Sequence, residues 1–353
     1  MEEKDNKTNK SAAVQDRQGM PALTAASLVG VLSNEKDEPI FYGGQALIEG
    51  VMMRGRTSYA LAVRRPDGEI EVIDKPISDA SKRHSILRWP IVRGIVAFCS
   101  SMGVGFKALA QSADIAMEGD TAPPGKFETF LLNKFGDKLN KILMTISMVV
   151  AVIFALGLFM LLPAWIGTML SPIVGPWIGV VEGLVRILIF VLYVFIISRA
   201  RDIQRVFQYH GAEHKAINCY EQDLPLTTEN VSSCSRLHKR CGTSFLLVVF
   251  VISMILFMIL RIENVWLRFG SRILLLPFIA GIAYEISVKW AGKRDNFLVR
   301  AIILPGMALQ RMTTGEPDEG QIEVAVMALR QAAGIAFEEE AEVEPADKGL
   351  DGE

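Results

Sequence analysis

A mainly α, polytopic membrane protein with about four transmembrane helices and a small cytoplasmic α+β part is the fold the sequence predicts. Three observations carry it. Half of the 353 residues are hydrophobic while 22% are charged, so apolar and charged residues are segregated along the chain. Four apolar stretches approach or reach the length needed to cross the roughly 30 Å hydrocarbon core of a bilayer. Between Tyr59 and Ile77 the pattern changes to alternating apolar and polar residues on either side of Pro66-Asp67-Gly68, a turn signal. The formal net charge of −2 offers no basic excess that would argue for nucleic acid. Four cysteines are too few for a disulfide scaffold.

In chain order, residues 1–36 are polar and expected to be disordered. So are residues 338–353, where eight acidic residues stand against one lysine. Residues 37–125 form a cytoplasmic or interfacial region. Its first part, YGGQALIEGVMMRG from Tyr42 to Gly55, mixes four glycines with Glu49 and Arg54 and reads as a loop that lets backbone approach a partner. The predicted β-hairpin follows. Gly94 to Phe106 is a 13-residue uncharged run, too short to span, so it is either re-entrant or interfacial or a buried helix of a soluble part.

Residues 126–198 hold the first two spans, Leu143 to Leu162 and about Ile178 to Ser198. The second carries Glu182 and Arg186 at i,i+4, a spacing that lets them pair. Residues 199–243 form a cytoplasmic loop. Residues 244–292 hold spans three and four, Ser244 to Leu260 and Ile273 to about Trp290, with Glu285 and Lys289 again at i,i+4. Residues 293–337 supply cytoplasmic or interfacial helices: a broken apolar stretch from Phe297 to Met312 and a periodic one from Ile322 to Ile335.

Orientation follows from lysine and arginine in the flanks. Lys126, Lys134, Lys138 and Lys141 precede span one, the Pro163–Trp177 connection has neither residue, and Arg199, Arg201 and Arg205 open the middle loop. Both termini and that loop are therefore expected in the cytoplasm of a multi-pass protein. Arg261, Arg268 and Arg272, between spans three and four, run against this rule.

Most histidines and cysteines of the chain crowd into the middle loop: His210, His214, Cys219, Cys234, His238 and Cys241. His210-Gly211-Ala212-Glu213-His214 has the form H-x-x-E-H. On a helix, i and i+4 put both imidazoles on one face, within reach of one zinc ion at about 2.0–2.1 Å. Glu213 stands beside them as the candidate general base, the inverted order of the zincin motif. Zinc is thus the expected divalent cofactor, with water as nucleophile.

The spacing does not name the third ligand. Glu285 is one candidate, although pairing with Lys289 would occupy it. A straight continuation of span two would carry His210 about 18 Å beyond the membrane face, so the loop must fold back for the two to meet. Cys219, Cys234, His238 and Cys241 make a second constellation that matches no standard zinc-finger spacing. A structural zinc, a site shared with His210 and His214, and ordinary reduced thiols all remain open for it.

YGGQALIEGVMMRG, LRWPIVRGIVAF, QYHGAEHKAINCYE, HKRCGTSF and TTGEPDEGQIEVA stand in this order over about residues 40–332. Together they resemble the YqhQ-like family of bacterial integral membrane proteins. The resemblance implies a bacterial cytoplasmic membrane protein of a domain without assigned activity, some of whose members carry the label of metal-dependent enzymes. Carried over residue by residue, it points to Glu49, Arg54, His210, Glu213, His214, Cys219, Glu221, His238, Arg240, Cys241, Glu316, Pro317 and Asp318. Lys239 and Gly315 stand where the family usually has proline and arginine.

Three function classes follow. The first is a membrane-embedded hydrolase acting on a peptide or lipid headgroup at the cytoplasmic face. The second is a non-enzymatic scaffold or assembly factor with a structural metal site, its partners being membrane lipids and a protein at that face. The third and weakest is a transporter, since both charged pairs within the spans are self-satisfied at i,i+4.

Overall fold

The computed structural model describes residues 42–55, 58–77, 85–118, 139–260, 262, 264–290 and 297–335. The tails expected to be disordered lie outside the described residues.

Four strands, β1 (Gly43–Leu47), β2 (Gly50–Arg54), β3 (Ser58–Arg64) and β4 (Ile70–Pro76), form one antiparallel sheet in sequence order. The predicted hairpin is β3–β4, with Arg64 opposite Ile70. The glycine-bearing segment before it, expected as a loop, is instead a second hairpin that turns at Ile48 and Glu49 and pairs Leu47 with Gly50. Glycine masked its strand character, because the alternation of Val51, Met52 and Met53 spans too few residues to register. Successive side chains on a strand point to opposite faces. Val51, Met53 and Ala62 accordingly enter one core cluster, whereas Leu47, Met52 and Leu61 enter another.

The second face is covered by α1 (Val92–Ala116), whose Ala108 packs on Leu47 and Leu61. Ser112 on the same helix accepts from the Ile48 amide at 3.3 Å. The short apolar run seen in the sequence is thus part of a 25-residue helix. Its N-terminal half lies against other helices, with Phe98 stacked near Phe245 and Arg93 bonded to Glu285 at 2.7 Å.

By length and composition, four segments among the described residues could cross a membrane: Val92–Ala116, Thr145–Ile197, Gly242–Leu260 and Trp266–Ser287. The first was read from sequence as too short, because Arg93 and Lys107 bracket its uncharged run. The second is 53 residues, roughly 80 Å as a straight rod, and it doubles back. Its parts are α2 (Leu139–Leu156), a wider turn at Gly157–Leu161, α3 (Leu162–Val174) and α4 (Ile178–Ile197). The reversal sits at Gly175–Trp177, where Gly175 has φ 51°, and α3 returns against α4. Both of the first two expected spans lie in this stretch. Large apolar side chains such as Ile153, Phe154, Leu188 and Ile196 are exposed along it, a surface that fits lipid rather than water.

Next comes α5 (Arg201–Glu221), then the short α6 (Thr228–Ser233), α7 (Gly242–Leu260) and α8 (Val265–Tyr284). The last two are α9 (Phe297–Thr313) and α10 (Glu319–Ala333). Span three coincides with α7. Span four begins earlier than expected, because Asn264 caps α8 by accepting from the amides of Trp266 and Leu267.

The charged pairs inside the spans were expected to be satisfied within one helix. They are not. Glu182 bonds Arg268 at 2.7 Å and also Arg272, both on α8. Arg186 donates to the Phe159 carbonyl at 2.9 Å and the Ser253 hydroxyl at 3.0 Å. Desolvated charges need closer partners than the solvated i,i+4 geometry provides. Glu285 pairs with Arg93, and the Lys289 side chain lies outside the described residues.

Candidate metal centre

The chain does not run straight from α4 into the H-x-x-E-H segment. Ala200 is extended at ψ 132° and a new helix, α5, starts at Arg201 with Asp202 in its first turn. This break separates α5 from α4. Helix α5 then lays Tyr209, Ala212, Ala216 and Ile217 into the core shared with the sheet and α10. An adjoining stripe of the same helix presents His210, Glu213 and His214.

Helical spacing brings the His210 and His214 rings to 4.4 Å between centroids. The third donor is Cys241, immediately before α7, with Sγ 3.3 Å from His210 Nε2. One donor atom from each of the three lies within 4.8 Å of the others. A tetrahedral zinc with sulfur at about 2.3 Å and nitrogen at about 2.0 Å separates those donors by about 3.5 Å, so the spacing fits. The ring nitrogens fit as well. His210 Nδ1 lies 2.8 Å from the Thr313 carbonyl and His214 Nδ1 lies 2.7 Å from the Arg236 carbonyl. A carbonyl can only accept, so each Nδ1 carries the proton and each Nε2 keeps its lone pair for a ligand. Burial pulls His214 below the ordinary histidine range, against the opposing pull of Cys241, and favours the neutral, ligating imidazole.

Glu213 is 4% exposed. Burial raises its carboxyl above the ordinary range, while His210, His238 and the Gly44 amide, which donates to it, work the other way. Its Oε2 lies 3.9 Å from His210 Nε2. Gly44 belongs to β1, and a Cβ there would come within 2.7 Å of the Glu213 carboxylate. Only glycine lets the strand approach this closely. A cleft of about 300 Å³ on the other side is lined by Gly43, Gly44, Gln45, Met52, Arg54 and Ser101 among others.

Strand β1 is held in place by the turn that follows it. Glu49, at φ 51°, receives the Arg205 guanidinium, with Nη2 to Oε2 at 2.6 Å, and the Tyr209 hydroxyl at 3.3 Å. The Glu49 charge therefore anchors the sheet to α5. Arg54 points away, to Ser100 and Ser101 on α1.

The remaining sequence candidates divide by position. His238 lies one ring beyond His214, 5.7 Å between centroids, with Nε2 3.4 Å from Glu221. Burial tends to raise the Glu221 carboxyl, yet His238 and Arg240 outweigh it and hold it below the ordinary range. Cys219 and Cys234 sit together in the core under α5 and α6, apart from the three-donor group. Burial, with Cys234 beside it, pushes the Cys219 thiol up to about 11. Glu285 is engaged by Arg93 and is not in the three-donor group. Glu316 pairs with the buried Lys215 at 2.6 Å, and Asp318 caps α10 through a reciprocal bond pair with Gln321.

Sequence reasoning missed Gln310, which is wholly buried. It accepts from the His238 amide and donates to the His238 carbonyl, both at 2.9 Å, and reaches Ser244. A glutamine inside an apolar stretch was the available signal.

Residues 89–335 match the family described as Protein of unknown function (DUF1385). A relative from Bacillus subtilis (strain 168), "Uncharacterized protein YqhQ", is 35% identical over 299 residues, which is 83% of this chain and 92% of that protein. The chain belongs to the DUF1385 family. No solved structure matches it. The stretch matched to DUF1385 contains His210, Glu213, His214 and Cys241 together with the Arg236 and Thr313 carbonyls; Gly44 and Glu49 precede it.

Proposed function

We propose that the chain is a membrane-embedded zinc protein whose His210, His214 and Cys241 hold the ion and whose Glu213 serves as general base in hydrolysis. One observation carries this reading: both imidazoles have their Nδ1 protons committed to backbone carbonyls, leaving two Nε2 atoms and a thiol converging on one point. Three protein donors leave one tetrahedral position for water or substrate, the pattern of catalytic rather than structural zinc. Zinc would supply Lewis-acid activation for hydrolysis at neutral pH.

The work of the protein residues follows from their surroundings. Glu213 has one oxygen beside the His210 edge of the donor group and a raised proton affinity, which suits it to take up and return a proton. The Gly44 amide orients that carboxylate. Gly44 also lines a cleft with Arg54 on its wall, a charge that suits a substrate bearing negative charge. The flanking lysines and arginines favour the cytoplasmic side of a bacterial cytoplasmic membrane for this centre.

The test is Glu213→Gln in the full chain. The account expects zinc content to match wild type while complementation of a strain lacking the gene fails. Full complementation would remove Glu213 as base and leave the second reading. In that reading zinc ties α5 to the start of α7, with the end of α9 bracing His210 through the Thr313 carbonyl, and the protein acts as a scaffold. It rests on the three donors coming from two segments that the Thr313 and Arg236 carbonyls brace.

A further inference from the structure

At the far end of the helices lies a second polar group that the metal centre does not use. From Gly242 to Leu260, α7 runs about 27 Å away from Cys241, and there α4 and α8 bring Glu182, Arg268 and Arg272 together. Arg186 lies one turn along α4 from Glu182. Two guanidiniums thus bond one carboxylate inside apolar helices and a third stands one turn away, with Glu182 at 3%, Arg186 at 6% and Arg272 at 1% exposure. Surplus buried positive charge is costly unless something negative compensates it. Ionisable residues within apolar spans mark functional sites by default.

Two further observations point to what compensates it. The Nε and Nη1 atoms of Arg272 are buried without a hydrogen-bond partner. Beside them opens a cavity of about 390 Å³, lined by Ser171, Gly179, Glu182, Phe257, Arg268 and Arg272 among others. Its polar wall is the two guanidiniums with the Glu182 carboxylate they share, one positive charge in excess, and Phe257, Leu260 and Ile178 contribute apolar walls. Trp177 and Leu267, each next in the chain to a lining residue, are exposed.

We propose that this cavity binds the phosphate of an anionic amphiphile, with Arg272 and Arg268 donating to the phosphate oxygens and the apolar walls receiving the start of an acyl chain. Arginine matches planar, paired acceptors such as phosphate oxygens better than any other side chain. The apolar rim favours a phospholipid over a soluble phosphate as the source. This also explains why arginines stand at the end of the bundle where flank counting expects few: they face inward to a ligand rather than outward to solvent.

The experiment uses the full chain in phosphatidylcholine nanodiscs with a photoactivatable phosphatidylglycerol, adducts being located by peptide mass spectrometry. In wild type, adducts should concentrate in residues 171–182 and 257–272 and be suppressed by unlabelled phosphatidylglycerol but not by added phosphatidylcholine. Arg272→Gln should weaken labelling roughly tenfold or more, the loss of a charge-assisted bond. Suppression by inorganic phosphate alone would overturn the lipid source and leave a soluble phosphate as the ligand. Adducts spread over other segments, or equal labelling by a phosphatidylcholine analogue, would overturn the proposal. Should Arg272→Gln fail to fold, the wild-type competition pattern decides.

Discussion

Gly44 on β1 leaves no room for a side chain, because the carboxylate of Glu213 on α5 occupies the place where a Cβ would stand, 2.7 Å from Oε1. The closest contact of the sheet with α5 therefore falls on the one acidic residue of the H-x-x-E-H motif. Gly44→Ala must displace either the strand or the carboxylate. We expect a loss of about 1–3 kcal/mol in stability and failed complementation with zinc content unchanged. Thermal melting and elemental analysis of the same preparation check both parts.

Asp318 was marked by the family motif, yet its visible work is structural. It accepts from the Gln321 amide at 2.8 Å while Gln321 reaches back to the Asp318 amide at 3.0 Å. Asp318→Ala should cost about 1 kcal/mol and leave complementation intact at permissive temperature. A null phenotype in a protein with a wild-type melting temperature would instead give Asp318 a chemical role.

The four cysteines should behave as three classes. Cys99 is exposed, Cys219 and Cys234 are core thiols, and Cys241 faces the histidines. Cys219→Ala and Cys234→Ala should keep zinc, whereas Cys241→Ala should lose most of it. The Cys219 thiol, at about 11 instead of the ordinary 9.0, has its folded-state pKa raised. Its stabilising share is fully present below pH 9 and is lost as pH climbs through about 11. Alkylation of Cys219 at pH 8 should accordingly need unfolding, while Cys99 reacts in the native state.

Sidedness is open to a direct check in a Cys99→Ser background. Pro176→Cys, at the reversal between α3 and α4, should react with a membrane-impermeant maleimide on intact cells. Gln222→Cys, at the end of α5, should react only after permeabilisation. The reverse pattern would place the metal centre outside.

Local signals were legible and long-range ones were not. Apolar runs located α2, α4, α7 and α8, whereas α3 fills the stretch read as the connection between the first two spans, and i,i+4 spacing put His210 and His214 on one face. Both depend on neighbours within a turn or two. Cys241 could be seen only as one of four thiols, because its choice over Cys219 rests on where α7 begins in space. The partner of Glu182 was misassigned to its own helix for the same reason: burial rewards an interhelical guanidinium that sequence spacing cannot show. The glycines before β2 looked like a loop, when one of them is the contact point with Glu213.

The measurement that bears most directly on the account is the zinc content of the full chain purified in detergent, beside a His210→Ala, His214→Ala variant of equal helicity. The account predicts about one zinc per wild-type chain and almost none in the variant. Wild-type protein free of tightly held metal, or a variant that retains it, would contradict the assignment of these side chains as ligands.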